Sequence, residues 1–365
     1  MKCILFIGNN IGDPGGGERS LLQIKGIAED KWKCETEAIF IDKEEVQSEE
    51  FEVFDILPKK ILNFSTYEIR MFLRYVVPLL RKSEVENKIN EIDPDLIIAQ
   101  TQASYIAARI GSEKEIPVKT LIRANELLYK DFFHGKNILT KILNGVPAFL
   151  NSKFAKFALA NSEKIVANSK HTASKYSQRY PEIEDKMEVM YPFAEKSKYE
   201  VDSTGDKIVH VNPIEPKGID ITLEVAENMP EREFLIVGNE GPQHLMNEIE
   251  NLPNVEFGGF YEDMKSVYRQ AGIVLFPSRE EAFGRISVEA GYSGIPVITS
   301  GVGGLSESMS VQKLNVKNNT PEDYISKIKE VENNYEEYSE LSRENAEKLY
   351  KESLESMKTV LGLEN

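Results

Sequence analysis

The sequence has few of the residues on which cross-links and metal sites depend. Its only cysteines, Cys3 and Cys34, are too few for a disulfide framework, and they indicate a protein of the reducing cytoplasm. The four histidines lack metal-ligand spacing and stand at His134, His171, His210 and His244. Asp93-Pro94-Asp95 resembles an Asp-x-Asp metal motif, but it directly precedes an apolar run and its proline fixes a turn. We therefore predict no metal site.

The chain also lacks an excess of basic charge and any long apolar run. Its 44 Lys and Arg residues against 60 Asp and Glu residues give a formal net charge of -16. General affinity for nucleic acid requires a basic face, so this charge balance excludes it. No apolar stretch approaches the ~20 residues that span a bilayer, and any membrane contact must therefore be peripheral.

Two stretches, 59–82 and 129–157, run against the acidic trend. Both combine lysines or arginines with apolar residues. Amphipathic helices of this kind can lie on an anionic membrane, here its inner, cytoplasmic face. The alternative is that both helices cover the core of a domain, and the sequence leaves the two interpretations open.

Short apolar runs alternate with helical patterns along the whole chain, which is typical of βαβ units and parallel sheets. We predict an α/β protein of two Rossmann-like domains, 1–193 and 207–340, that face a central cleft. A polar linker, 194–206, separates them, and a C-terminal helix, 341–365, packs back toward the first domain. The predicted strands are 3–7, 37–41, 96–99, 118–122, 164–167, 207–211, 233–237, 255–257, 273–276 and 296–299.

The most specific segment places two carboxylates, Glu281 and Glu289, around a turn at Phe283-Gly284. An apolar run precedes the turn and a helical pattern follows, and a strand, a glycine turn and a helix start together form a phosphate site. Carboxylates can bind a vicinal diol because their oxygens accept hydrogen bonds from its hydroxyls. The segment predicts a sugar nucleotide as the ligand. The alternative, helix-cap and surface roles for both glutamates, leaves the turn between them unexplained.

Two further glycine turns are candidates for the same site. Lys217-Gly218 follows the predicted strand 207–211 and opens a helix, where a cation can meet a phosphate. The cluster 12–17, with Gly15 and Gly16, follows the first strand and lets the backbone approach a ligand, or is simply a tight turn. Its spacing matches neither the dinucleotide-binding nor the Walker pattern.

With these residues in place, the chain resembles the retaining glycosyltransferases of family four, which have the GT-B fold. The resemblance covers nearly the full length of the chain. The segments that carry it are Gly15-Gly16-Gly17-Glu18-Arg19, Lys217-Gly218, Phe257-Gly258, Pro277-Ser278, Glu281-x7-Glu289 with Phe283-Gly284, and Gly303-Gly304-Leu305-x-Glu307.

The resemblance implies a role for each matching residue. Glu281 would bind the hydroxyls of the donor sugar near the reacting carbon, and Glu289 the ribose diol. Lys217 would hold the diphosphate, and Gly15 and Gly16 would complete the donor site from the other domain. The backbone groups that assist Lys217 would be those of Phe283, Gly284, Arg285 and Ile286. Glu281 and Lys217 would be the catalytic residues.

The chain departs from the family pattern at two places. Many relatives carry an arginine five residues before the lysine, where this chain has Asn212. Many also carry a histidine after the fourth strand, where Arg123 or Asn125 stands here. These three residues are candidates for acceptor or phosphate contacts.

The resemblance implies transfer of a sugar from a UDP- or GDP-linked donor to an acceptor hydroxyl. It further implies retention at the anomeric carbon, with no metal and no other cofactor. The expected acceptor is a glycan or lipid-linked molecule in surface polysaccharide, lipid-linked glycan or glycolipid synthesis. The alternatives are a nucleotide-sugar 2-epimerase or a phosphorylase of the same architecture, and a catalytically silent protein that binds sugar nucleotides.

Overall fold

The structure, a computed structural model, describes residues 2–8, 16–40, 67–80, 82–128 and 138–363, without the side chains of 16–19, 67–70, 77 and 138–144. The chain divides into two compact units. The first is Met1–Phe193 together with Glu355–Asn365, and the second is Ala194–Leu354.

The first unit is built on a parallel sheet of six described strands. Its strands are β1 (Cys3–Gly8), β2 (Glu35–Phe40), β3 (Leu96–Gln100), β4 (Val118–Ile122), β5 (Lys164–Ala167) and β6 (Met187–Val189). They lie in the order β2-β1-β3-β4-β5-β6. Its helices are α1 (Gly16–Trp32), α2 (Tyr67–Leu80), α3 (Lys82–Ile92), α4 (Ala103–Lys114), α5 (Ile138–Ala160) and α6 (Lys170–Arg179).

The core of the first unit forms because its central strands are buried on both faces. Every residue of β3 is buried, as expected for a parallel strand with helices above and below. On one face, Ile106 and Ile110 of α4 belong to the same apolar cluster as Ile7 and Ile97 of the sheet. Full burial of such a side chain contributes roughly 1.5–3 kcal/mol, so α4 is held by packing.

The two basic stretches of the sequence contribute α2 and α5 to this core. Tyr105 of α4 lies 5.9 Å from the ring of Tyr75 in α2 and 4.7 Å from that of Phe154 in α5. These contacts confirm that both helices cover a domain core on their inner faces. Residues 59–66, 81 and 129–137 of the two stretches lie outside the described residues.

The second unit is a five-stranded parallel sheet with helices on both faces. Its strands are β7 (Lys207–Val211), β8 (Phe234–Val237), β9 (Val255–Gly259), β10 (Ala271–Phe276) and β11 (Val297–Thr299), in the order β11-β10-β7-β8-β9. Its helices are α7 (Ile219–Asn228), α8 (Gln243–Asn251), α9 (Lys265–Tyr268), α10 (Ile286–Gly291), α11 (Leu305–Ser308), α12 (Pro321–Asn333) and α13 (Tyr335–Val360). Helix α13 continues past Leu354, so its last residues belong to the first unit.

The structure confirms the α/β class and all ten predicted strands, with ends shifted by a few residues. It adds β6, whose Met187-Glu188-Val189 is too short and too polar to stand out as an apolar run. The segment 194–206 is held on the second unit, since Val201 N–H donates to Ser293 Oγ at 2.9 Å and Ser203 Oγ donates to the Ala271 carbonyl at 2.7 Å. No helix in the described parts of the chain is long and apolar enough to cross a membrane.

Candidate functional site

The predicted site residues of the second unit gather where three neighbouring strands end. Strand β10 pairs in parallel with β7 on one side and with β11 on the other. Because parallel strands end at the same edge of a sheet, the loops 212–218, 277–285 and 300–304 leave this edge side by side. Ligands of open α/β sheets bind at this edge, outside the carboxyl ends of the strands.

Lys217 and Glu281 form an ion pair at this edge. Lys217 Nζ donates to Glu281 Oε2, and it also lies 5.6 Å from the centre of the Phe276 ring, within the range of a cation–π contact. Only 23% of the Lys217 side chain and 14% of the Glu281 side chain are exposed. The structure therefore joins a cation and a carboxylate that lie 64 positions apart in the sequence.

A glycine makes this approach of the two loops possible. Gly218 has a φ of 73°, in the left-handed region, and ends a short 3-10 turn that carries Lys217. A Cβ at Gly218 would lie 2.2 Å from the carbonyl oxygen of Pro277, which is a steric overlap with backbone. Only glycine fits both the conformation and the space, so Gly218 sets how near Lys217 comes to the segment of Glu281.

The turn after Glu281 also depends on a glycine. Gly284 has a φ of 92°, and a Cβ there would lie 2.4 Å from Leu305 Cδ2. Phe283 is buried beside it and anchors the turn in the core. Helix α10 begins directly afterwards at Ile286, and the first N–H groups of a helix have no acceptor within it. This is the strand, glycine turn and helix start that the sequence predicts.

Glu289 is buried and both of its carboxylate oxygens have protein partners. Arg285 Nη2 lies 3.1 Å from Oε1, and the Tyr268 hydroxyl donates to Oε2 at 3.3 Å. Arg285 Nη2 also donates to the Tyr199 hydroxyl at 3.2 Å. Burial, and then the neighbouring Glu289 carboxylate, raise the pKa of the Tyr268 hydroxyl well above its ordinary value, so it stays a donor. The Arg285 side chain is thus directed to Glu289.

Tyr199 and Tyr268 are parts of the site that the sequence alone does not indicate. Tyr199 lies in the segment predicted as a linker, and Tyr268 is the last residue of α9. Neither belongs to a recognisable pattern, since tyrosines are common core residues. Their proximity to Glu289 comes from packing of chain segments that are distant in the sequence.

Asn212 lies at the end of β7 and has a φ of 70°, which asparagine tolerates better than most residues. Its N–H donates to the Val237 carbonyl at 2.7 Å, and its carbonyl accepts the Ile214 N–H at 2.8 Å. The same carbonyl lies 3.2 Å from Nε2 of the buried His210, so Nε2 carries the hydrogen. The other ring nitrogen lies 2.8 Å from Thr222 Oγ1 and accepts its hydrogen. Through its contact with the Asn212 carbonyl, His210 supports the loop that carries Lys217.

We predict that stability falls between pH 6.5 and pH 4 because of His210. Burial lowers its pKa to about 4 from an ordinary 6.5. In this window the unfolded chain binds a proton that the folded chain does not, so unfolding becomes easier as the pH falls. The slope approaches about 1.4 kcal/mol per pH unit. Denaturant unfolding of the native protein at several pH values measures it.

His210→Gln is the control, because glutamine offers a donor and an acceptor but does not titrate. Its stability is expected to change much less between pH 6.5 and 4.5. Carboxylates with lowered pKa values, such as Asp220 and Glu330, are present in both proteins, so their contribution to the slope cancels in this comparison. Equal slopes in the two proteins, or an NMR titration midpoint of His210 near 6.5, would contradict the prediction.

The remaining predicted residues belong to the first unit. Arg123 follows β4; its N–H lies 3.2 Å from Glu126 Oε1, and its carbonyl accepts Asn168 Nδ2 at 2.5 Å. The side chain of Asn125 accepts a hydrogen bond from Lys175 Nζ at 3.5 Å. Gly16 is the first residue of α1, and Gly15 lies outside the described residues. Within the described ranges, no group of three or more His, Cys, Asp or Glu side chains is placed to hold a metal ion.

Residues 193–349, which include the whole edge described above, match the family model of group 1 glycosyl transferases. This part of the chain is similar to the group 1 glycosyl transferases, and the chain has the GT-B fold. The finer resemblance, to the retaining family four, stays a prediction.

The chain is also similar to individual curated proteins and solved structures. The chain is 28% identical over 194 residues to an uncharacterized glycosyltransferase of Methanocaldococcus jannaschii, covering 50% of this chain and 53% of that protein. It is 28% identical over 181 residues to the D-inositol 3-phosphate glycosyltransferase of Segniliparus rotundus, covering 42% and 40% of the two chains. The matches thus span about half the length of these curated relatives, or less.

The structural likeness extends over the whole chain. HepE of Anabaena in complex with UDP superposes with a TM-score of 0.75 at 17% identity, covering 100% of this chain and 99% of that one. UDP-GlcNAc 2-epimerase of Neisseria meningitidis, bound to UDP-GlcNAc, gives a TM-score of 0.59 at 15% identity, with 100% of both chains covered. WaaG, a glycosyltransferase involved in lipopolysaccharide biosynthesis, and this epimerase share the fold, so the reaction has to be argued from the site.

Proposed function

We propose that this protein is a glycosyltransferase that moves a sugar from a nucleoside diphosphate donor to an acceptor hydroxyl. The observation that carries the proposal is the pair of Lys217 and Glu281 at the carboxyl edge of the second sheet, beside the buried Glu289. A cation suits the diphosphate, and the two carboxylates suit hydroxyls of the sugar and the ribose. The family match of the same residues supports it.

In the proposed reaction the donor diphosphate displaces Glu281 from Lys217. Glu281 then accepts hydrogen bonds from the sugar, and Lys217 stabilises the negative charge that develops on the leaving diphosphate. The backbone N–H groups from Phe283 to Ile286 assist at the start of α10. Glu289 binds the ribose diol while Arg285 and Tyr268 keep its carboxylate in place.

We further propose that the anomeric configuration is retained and that no metal takes part. The resemblance to family four supports both statements. Lys217 supplies at the diphosphate the positive charge that a divalent cation supplies in other sugar transferases. We expect UDP rather than GDP as the donor nucleotide, which the fold shared with the UDP complex of HepE supports. Acceptor contacts are assigned to the first unit, to Arg123 and Asn125 after β4.

The test is release of UDP from UDP-sugars by the purified protein, with and without a panel of glycan and lipid-linked acceptors. Release that requires an acceptor, with product linkage of the same anomeric configuration by NMR, is the expected result. Conversion of the sugar without an acceptor would indicate an epimerase instead. Binding of UDP-sugars by calorimetry without turnover on any acceptor would indicate a silent binding protein.

We also propose that the protein works in the cytoplasm at the inner face of the membrane. The free cysteines Cys3 and Cys34 suit a reducing compartment. On α5, Val146, Phe149 and Phe157 are 57%, 48% and 37% exposed. Their spacing places them on one face of the helix with Lys153, whose Nζ lies 5.3 Å from the Phe149 ring. An exposed apolar stripe with a cation suits an anionic lipid surface.

Flotation with vesicles of phosphatidylglycerol and phosphatidylcholine at low salt tests this contact. The native protein is expected to float, and the double variant Val146→Ser with Phe149→Ser to remain largely at the bottom. Raising the salt to about 1 M should weaken the binding, because it screens the attraction of the lysine. A native protein that stays unbound at low salt contradicts the proposal.

A further inference from the structure

Arg279 joins the loop of Lys217 to the segment of Glu281. Its Nη1 donates to Asp220 Oδ1 at 2.7 Å and to the Glu215 carbonyl at 2.6 Å, and its Nη2 donates to Asp220 Oδ2 at 2.5 Å. Its backbone N–H donates to the Pro216 carbonyl at 2.9 Å. Four hydrogen bonds thus hold one residue of the β10 loop on the loop after β7 and on the first turn of α7.

The geometry of these contacts is specific to arginine. The planar guanidinium matches both oxygens of a carboxylate at once, which a lysine cannot do. Asp220 lies in the first turn of α7, where the helix dipole favours a negative charge. The Asp220 carboxylate is therefore a fixed anchor, and the guanidinium that it holds fixes the Glu215 carbonyl, two residues before Lys217.

Two observations argue against other roles for Arg279. The side chains of Arg279 and Asp220 are both 45% exposed, and exposed ion pairs contribute only ~0–1 kcal/mol to stability. Global stability is therefore a small part of what the pair does. Three of the five N–H donors of Arg279 are already used within the protein, two on Asp220 and one on the Glu215 carbonyl, so these contacts fix the guanidinium toward the loop of Lys217.

We propose that Arg279, held by Asp220, is a positioning residue that keeps Lys217 beside Glu281, so that both reach the same donor. The proposal rests on the proposed function of this site. A loop that carries one cation on a 3-10 turn has few contacts of its own, and a small displacement of Lys217 reduces its interaction with a diphosphate. Neither Arg279 nor Asp220 touches the donor in this arrangement.

The experiment compares Arg279→Ala, Asp220→Ala and the double variant in UDP and GDP binding by calorimetry and in thermal unfolding. Each single variant is expected to weaken binding of the preferred nucleotide about tenfold. The double variant should also lose about tenfold rather than a hundredfold, because all three remove the same contact. The midpoint of thermal unfolding should shift by less than about 3 °C, which corresponds to an exposed pair. Arg269→Ala, an exposed arginine elsewhere in the same unit, is the charge-matched control.

The outcomes separate the proposal from its rivals. Nucleotide binding within twofold of the native protein in Arg279→Ala overturns it. Binding in Asp220→Ala that is as tight as in the native protein or tighter, with weaker binding in Arg279→Ala, would show that Arg279 contacts the phosphates directly, which also overturns it. If the native protein binds neither UDP nor GDP, the proposed function fails. Hydrogen exchange then still tests whether the contact between Arg279 and Asp220 holds the loop of Lys217. The Lys217 and Gly218 amides should exchange faster in Arg279→Ala, and unchanged exchange would refute the proposal.

Discussion

Glu281→Gln is expected to lower the turnover of the donor by about 100-fold or more, the scale of losing one polar group that stabilises a transition state. The substitution keeps the shape of the side chain and removes its charge. In the native protein Oε2 accepts from Lys217 Nζ, and Oε1 lies 3.2 Å from the Ala282 N–H. Initial rates of UDP release at saturating acceptor measure the effect.

The same variant should affect binding of the sugar and binding of the nucleotide differently. Removal of the carboxylate frees Lys217, so free UDP is expected to bind at least as tightly as to the native protein. The variant should therefore bind the UDP-sugar more weakly and transfer the sugar more slowly. Thermal unfolding should change much less than turnover, because the glutamine oxygen still accepts a hydrogen bond from Lys217 Nζ. Glu280→Gln, with the same change in charge one residue away, is the control, and native turnover in Glu281→Gln would refute the assignment.

Lys217→Met is expected to cause the second large loss, a fall in turnover of about 100- to 1000-fold, because the leaving diphosphate loses its cation. Methionine keeps most of the apolar stem of the side chain and removes the Nζ that lies over the Phe276 ring. Affinity for UDP should fall as well, and further than the lost attraction alone explains, because Glu281 then faces the diphosphate without a partner. Calorimetry with UDP and steady-state rates measure the two effects.

A double variant tests this explanation. Lys217→Met combined with Glu281→Gln should bind UDP more tightly than Lys217→Met alone, because the unpaired carboxylate is gone. Lys329→Met, on the exposed face of α12, is the charge-matched control. An unchanged affinity for UDP in Lys217→Met, or a double variant weaker than the single one, would contradict a shared phosphate site.

Much of the site could be predicted from the sequence because its parts follow local rules. The strand before Pro277, the turn at Gly284 and the helix start at Ile286 are set by apolar runs and by a glycine that alone accepts its φ. Lys217 could be predicted in the same way, from its place between a strand and a helix. Parallel strands then bring these segments to one edge of the sheet.

Other features depend on contacts that no local rule contains. Two distant segments reach Glu289: Tyr268 contacts it directly, and Tyr199 contacts it indirectly, through Arg285. The ion pair between Arg279 and Asp220 joins residues 59 positions apart. Such pairs carry no spacing signal, because their separation depends on the lengths of the helices and strands between them.

The sequence by itself determined that the chain is an α/β protein of two parallel sheets, with a glycine turn and a helix start between two glutamates. It could do so because burial on both faces, glycine conformation and strand–turn–helix order act over short stretches of chain. Only the tertiary structure decided that Lys217 pairs with Glu281, that Tyr268 donates to Glu289, and that His210 is buried beside the loop of Lys217. The physical reason is that charge pairing and burial depend on distance in space, which is fixed when the strands pack into one sheet.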